Sequence, residues 1–227
     1  MLTRKITLTL VLLMAVILLF EFIDIDIWVQ NYLYSVELQQ WILNRDEPLS
    51  KLIFYDGIKK VFILLIILLI IVLLFIKKNK LIQKYQQGLI IVCISAILIP
   101  LVITSLKAIT NMPCPKNLAL YGGTYPYVTV LSTYPKEFHQ TKRIKCYPAG
   151  HASGGFALLS LFFLFKSRKS KFIALASVMV LSWSIGIYKM LIGDHFLSHT
   201  LVTMILSWLI ILMIAKTIFY YSPRKII

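Results

Sequence analysis

Three of the chain's four histidines fall in two short stretches, KCYPAGHASGG (residues 145–155) and GDHFLSHT (193–200). An imidazole titrates near neutrality, so His151, His195 and His199 are each fitted to move a proton or to act as a nucleophile. His195 and His199 are four apart, which on a helix puts them on one face about one turn from each other. Two lysines, Lys107 and Lys189, stand at the ends of apolar runs and add cations. Cations beside imidazoles favour a phosphate substrate, whose charged oxygens they can neutralise. The HFLSH spacing with His151 as a third ligand also fits zinc. Against zinc, no Glu follows the first histidine, and Lys107 and Lys189 are poor neighbours for a dication.

The elements that must carry these residues are hydrocarbon helices. With 59% hydrophobic residues and a mean hydropathy of +0.83, the chain is too apolar for an ordinary soluble domain of 227 residues. Windowed hydropathy predicts six spans, at about 6–23, 60–76, 89–106, 153–165, 172–189 and 195–216. The first follows MLTRK without a small-residue cleavage site and reads as a retained signal anchor. No internal repeat or Gly/Ser linker divides the chain, so a single domain over 1–227, with its core at about 60–216, is expected. The fold class is all-α, an integral membrane bundle of six transmembrane helices with an extracytoplasmic cap.

The net charge of +15 is organised by topology. Arg4 and Lys5, then Lys77, Lys78, Lys80 and Lys84, then Lys166, Arg168, Lys169 and Lys171, and finally Lys216, Arg224 and Lys225 alternate with the spans in segments free of acid. The positive-inside rule places both termini in the cytoplasm and makes anionic headgroups, and no nucleic acid, the partner of this charge. All nine acidic residues lie in or beside the segments left outside, about 24–59, 107–152 and 190–194. In the first, Trp28, Tyr32 and Trp41 suit a helix lying at the membrane interface as an anchor, with no chemistry assigned. The second is long, rich in Tyr, Pro and Gly, and reads as a folded cap. Its Cys114 and Cys146 are expected to form a disulfide in a compartment where disulfides persist, while Cys93, inside the third span, stays free. The amino termini of spans four and six, near His151 and His195, face the same side and offer unpaired amides to a phosphate.

These residues resemble the motifs of the type 2 phosphatidic acid phosphatase family, whose members share a six-span core with vanadium haloperoxidases. The family pattern is Lys-x6-Arg-Pro, then Pro-Ser-Gly-His, then Arg-x5-His-x3-Asp. Here KAITNMPCP supplies Lys107 and Pro115, with Cys114 in the arginine position; PAGH supplies Pro148, Gly150 and His151, with Ala149 for Ser; KMLIGDHFLSH supplies His195, with Lys189 for Arg and His199 for Asp. The resemblance implies phosphoryl transfer without metal or cofactor, at the outer face of a bacterial-type inner membrane, on a phosphorylated membrane lipid. His195 would attack phosphorus, His151 would protonate the leaving oxygen, and water would hydrolyse the phosphohistidine. Lys107, Lys189 and the amides of Ala149 and Gly150 would bind the phosphate, and His199 would orient His195. Lysine is a point charge where arginine is a fork, and Cys114 carries no cation, so phosphate should be held less rigidly than in the family pattern. Phosphatidate, phosphatidylglycerol phosphate, polyprenyl pyrophosphate and lipid A phosphates all fit. Transfer to a lipid acceptor, an inactive lipid-binding relative and a His-coordinated zinc hydrolase are the alternatives.

Overall fold

The structure, a computed structural model, describes residues 2–75 and 79–221. Four of the expected cytoplasmic charges, Lys77, Lys78, Arg224 and Lys225, lie outside the described residues. Helix α1 (Leu2–Phe22) buries only Thr9, Leu13, Val16 and Phe20, a stripe at helical spacing that packs along the last helix. Most of its remaining surface, Leu8, Val11, Met14 and Leu18 included, is exposed hydrocarbon, as lipid requires. A short helix, α2 (Ile25–Asn31), and a two-stranded hairpin of β1 (Tyr34–Ser35) and β2 (Gln40–Trp41) follow. The expected interfacial helix therefore ends before Trp41. The chain turns at Gln39, whose φ is +52°, and Trp41 packs its ring against Tyr34 and Tyr121 within the protein.

Helix α3 (Pro48–Lys51) and a π-helical turn (Leu52–Gly57) lead into α4 (Ile58–Phe75), and α5 (Lys80–Thr110) returns with Pro100 inside it. An irregular segment with two 3-10 turns (Pro115–Asn117 and Ala119–Tyr121) connects to α6 (Gly150–Ala157). A 3-10 turn (Leu158–Ser160) then separates α6 from α7 (Leu161–Leu164), and α8 (Arg168–Leu191) and α9 (Leu197–Tyr221) complete the chain. Among the described residues four helices, α1, α5, α8 and α9, are long and apolar enough to cross a membrane. The other two expected spans occur as shorter apolar helices, 60–72 and 150–164. At 1.5 Å per residue the latter covers about 22 Å, less than a hydrocarbon core of about 30 Å.

The core runs along α9, which buries Thr200, Thr203 and Ser207 with Ile211 and Leu212 against α5, α6 and α1. Small polar residues at such interfaces let helices approach closely, and Thr203 Oγ1 accepts from the Ala149 amide across the contact with α6. Gly155 serves the same purpose on α6: a Cβ there would lie 2.6 Å from Ser182 Oγ on α8. Lys5 and Lys171 lie over the Phe162 ring and Lys166 over Tyr85, so three basic segments meet at one end of the bundle. The acidic residues Glu21, Asp26 and Asp194 bond Thr129, Ser198 and Lys116 at the other.

Candidate active site

The site is built where α5 ends and where α6 and α9 begin. Lys107 lies in the last turn of α5. The Thr110 hydroxyl, three residues on, donates to the carbonyl of Tyr147, and Cys114 and Cys146 are joined by a disulfide with Cα atoms 5.3 Å apart. The first and second motif segments are thus connected by a side chain, by sulfur and by packing. His151, in the first turn of α6, is exposed into a cavity of about 690 Å³ that opens between α4, α5, α6 and α8. Lys107, Gly150 and His151 form one polar region of its lining, and Phe62, Leu65 and Leu158 belong to the apolar remainder.

His195 is not on α9. It lies in the turn before that helix, with its amide and that of Asp194 both donating to the carbonyl of Lys189, at 3.2 and 2.8 Å. Gly193 makes this turn with φ +71°, and the indole of Trp41 lies where a side chain at Gly193 would project. The turn nevertheless brings the histidines together. His195 Nε2 is 3.5 Å from His151 Nδ1, and His195 Nδ1 is 3.3 Å from His199 Nδ1. His195 therefore meets His151 with one nitrogen and His199 with the other. Burial is the main cause holding His195 well below the usual imidazole range, and the fields of His199, Lys107, His151 and Lys189 push the same way. It is neutral at physiological pH, the state that carries a lone pair.

Two expected phosphate ligands have other partners. The Ala149 amide donates to His199 O at 3.2 Å and Thr203 Oγ1 at 2.8 Å, and the residue is fully buried. Ala149 is a joint between α6 and α9, and its amide is engaged there, where a phosphate contact was expected. Lys189, 4% exposed, bonds Asp194 Oδ2 at 2.9 Å. Asp194 also binds Lys116 at 2.6 Å and Arg45 at 3.6 Å. Burial alone would raise the Asp194 carboxyl, but Lys189 and Lys116 outweigh it and hold the group below the usual carboxylate range. Sequence reasoning missed Asp194, Lys116 and Arg45, although an acid directly before His195 was the available signal.

It also missed Asp26. This carboxylate accepts from the Ser198 amide at 2.9 Å and from the Ser198 hydroxyl, so the amino terminus of α9 is already occupied by an anion. The expectation that this terminus receives phosphate is corrected; among the two helix starts, that of α6 opens on the cavity. The signal was an acid set between isoleucines in IDIDIW, in a segment to which only an anchoring role was given.

Among the described residues one group could hold a metal by proximity, Cys146, His195 and His199, whose donor atoms lie within 4.8 Å of one another. With Cys146 in a disulfide its sulfur is no thiolate, and two histidines remain. His151 cannot replace it at the same ion, since it faces the opposite nitrogen of His195.

A sequence model of the PAP2 superfamily matches residues 88–223, more than half of the chain. The chain belongs to the PAP2 superfamily. The match covers α5 from residue 88 onward and all of α6, α8 and α9, the helices that carry Lys107, His151, Lys189 and His199. No curated protein and no solved structure matches the chain. PAP2 proteins are in general phosphatases, hydrolases of phosphoric esters that act on phosphorylated substrates. The long apolar helices make this PAP2 protein a membrane protein.

Proposed function

We propose that the protein is a lipid phosphatase that removes a phosphomonoester or pyrophosphate group from a lipid at the outer face of the inner membrane, through a phosphohistidine on His195. The observation that carries this reading is His151 at the polar region of an apolar cavity between membrane helices, with His195 Nε2 3.5 Å from its Nδ1. A lipid has the complementary shape. Its phosphate lies at Lys107 and the α6 amino terminus, and its chain lies along Phe62, Leu65 and Leu158.

His195 Nε2 attacks phosphorus, and the lipid oxygen leaves with a proton from His151. His151 then takes a proton from the water that hydrolyses the phosphohistidine, and the free enzyme is restored. For attack, His195 must carry its proton on Nδ1, donated to the lone pair of His199 Nδ1 3.3 Å away. Lys107 and the Gly150 amide stabilise the charge on the phosphate oxygens. A phosphate would share Lys189 with Asp194, which keeps that ammonium buried and in place.

The six-span arrangement follows if the two shorter apolar helices also sit in the bilayer, with the 111–149 segment as an extracytoplasmic cap. The gathering of Lys5, Lys166 and Lys171 at the opposite end supports both termini facing the cytoplasm. Phosphate release from detergent-solubilised protein is the test, across phosphatidate, phosphatidylglycerol phosphate, a polyprenyl pyrophosphate and lipid A, with and without chelator. Release from at least one lipid, unaffected by chelator, is expected. Loss of release with chelator would replace this mechanism by a metal-dependent one, and release from none would leave an inactive lipid-binding protein.

A further inference from the structure

The disulfide lies directly behind the proposed nucleophile. Cys146 Sγ is 3.9 Å from His195 Nδ1, and His195 Nδ1 is 3.3 Å from His199 Nδ1. Tetrahedral zinc with ordinary bond lengths sets two nitrogens about 3.3 Å apart and a nitrogen and sulfur about 3.6 Å apart. All three residues are at most 2% exposed. The carbonyl oxygen of Asp194, 3.1 Å from the same sulfur, offers a fourth donor. What the oxidised protein lacks is the thiolate.

We propose that opening the Cys114–Cys146 bond turns this cluster into a zinc-type metal site, with Cys146 Sγ, His195 Nδ1 and His199 Nδ1 as ligands, and that the bound ion silences His195. Cys114 is half-buried and Cys146 almost fully buried, so an incoming dithiol reaches the Cys114 sulfur first. Its thiolate forms a mixed disulfide with Cys114 and expels Cys146 as a thiolate, pointed at the two imidazoles. The second thiol of the reductant then closes its own disulfide and releases Cys114. Two electrons have passed from the dithiol to the cysteine pair, and its two protons go to Cys114 and to solvent as Cys146 binds the ion. The thiolate completes a soft set of one sulfur and two nitrogens and lowers the net charge of a bound dication to +1, which eases its placement near Lys107.

The effect on catalysis rests on the reading of function above. A neutral imidazole has one lone pair and one N–H. With the ion on Nδ1 of His195, the proton is confined to Nε2, and that nitrogen cannot attack phosphorus. The reduced, metal-loaded protein is therefore inactive, and reoxidation of the cysteine pair ejects the ion.

Cobalt(II) is the probe, titrated into the full-length protein in detergent before and after treatment with dithiothreitol and removal of the reductant. The reduced protein should bind one equivalent and show a thiolate-to-cobalt charge-transfer band in the near ultraviolet, bleached by zinc, and the oxidised protein should show none. Cys114→Ser should give the band without reductant. Cys146→Ser should give none in either state, although Cys93 and Cys114 remain, and His199→Ala should weaken binding at least about tenfold. No band in the reduced protein and none in Cys114→Ser, or a band that survives in Cys146→Ser, would overturn the site. Equimolar zinc should cut phosphate release at least about tenfold in the reduced protein only. If no lipid yields phosphate in any state, the phosphatase reading fails while the cobalt band still decides the metal site.

Discussion

His199, in the first turn of α9, stands 3.3 Å from His195 and changes what the nucleophile can become. An imidazole accepts the Nδ1–H of His195 as a carboxylate would, but it adds no negative charge to steady a cationic or phosphorylated ring. His195→Ala is expected to lower turnover by about a thousandfold or more, with lipid affinity little changed because the cavity and Lys107 are intact. His199→Ala should cost about 10- to 100-fold. His199→Asp should keep activity within about tenfold of the wild type and move the acid limb of the pH–rate profile upward, since a carboxylate favours protonated His195. Steady-state turnover of the three variants on a responsive lipid separates the roles; equal losses in the two alanine variants would remove the distinction between nucleophile and orienting group. These three histidines could be found from spacing because each stands in a short motif. Asp194 had only its place before His195 to mark it, and Lys116 and Arg45 had nothing, because an ion cluster drawn from three separate segments leaves no period in the chain.

At the scale of elements, the start of α9 is held by a carboxylate from another helix. Asp26 caps Ser198, and the turn carrying His195 lies immediately before it. Burial, the largest cause, raises the Asp26 carboxyl to about 6, and the Ser198 hydrogen bonds pull it part of the way back. The unfolded carboxyl titrates near 3.8, so the folded chain holds this proton more tightly. The stability it contributes is complete below about pH 4 and is lost as the pH rises through about 6, a change on the order of 3 kcal/mol. Asp26→Asn keeps an acceptor for the Ser198 amide and has no proton to lose. Thermal unfolding in detergent should show the wild type losing Tm relative to Asp26→Asn between about pH 4 and pH 7; parallel profiles would show that Asp26 does not titrate in this window. Long apolar elements such as α1 and α9 were legible from hydropathy. The break of the fourth apolar segment into α6, a 3-10 turn and α7 was not, because tertiary packing such as Gly155 against α8 leaves no periodic mark in the sequence.

Over the whole molecule, the N-terminal quarter is part of the site's support, although the family match begins at residue 88. Asp26 bonds Ser198, Gln30 donates to the Met190 carbonyl at 3.0 Å, Trp41 lies on Gly193, and Arg45 reaches Asp194. Hydropathy read this region as an anchor, since pairings across more than 140 residues have no local signature. The alternation of basic and acidic segments, by contrast, belongs to the chain as a whole and was readable throughout. It predicts that a cysteine replacing exposed Lys136 reacts with a membrane-impermeant thiol reagent on intact cells, and that one replacing Lys169 reacts only after lysis. The reverse pattern would invert the topology and place the site in the cytoplasm. The Cys114–Cys146 bond, finally, closes residues 114–146 into a ring. A protease that cuts the exposed stretch around Lys136 and Glu137 opens the ring at one point and separates nothing: the nicked protein remains one covalent molecule, with α5 and α6 still tethered, until a reductant divides it into two fragments.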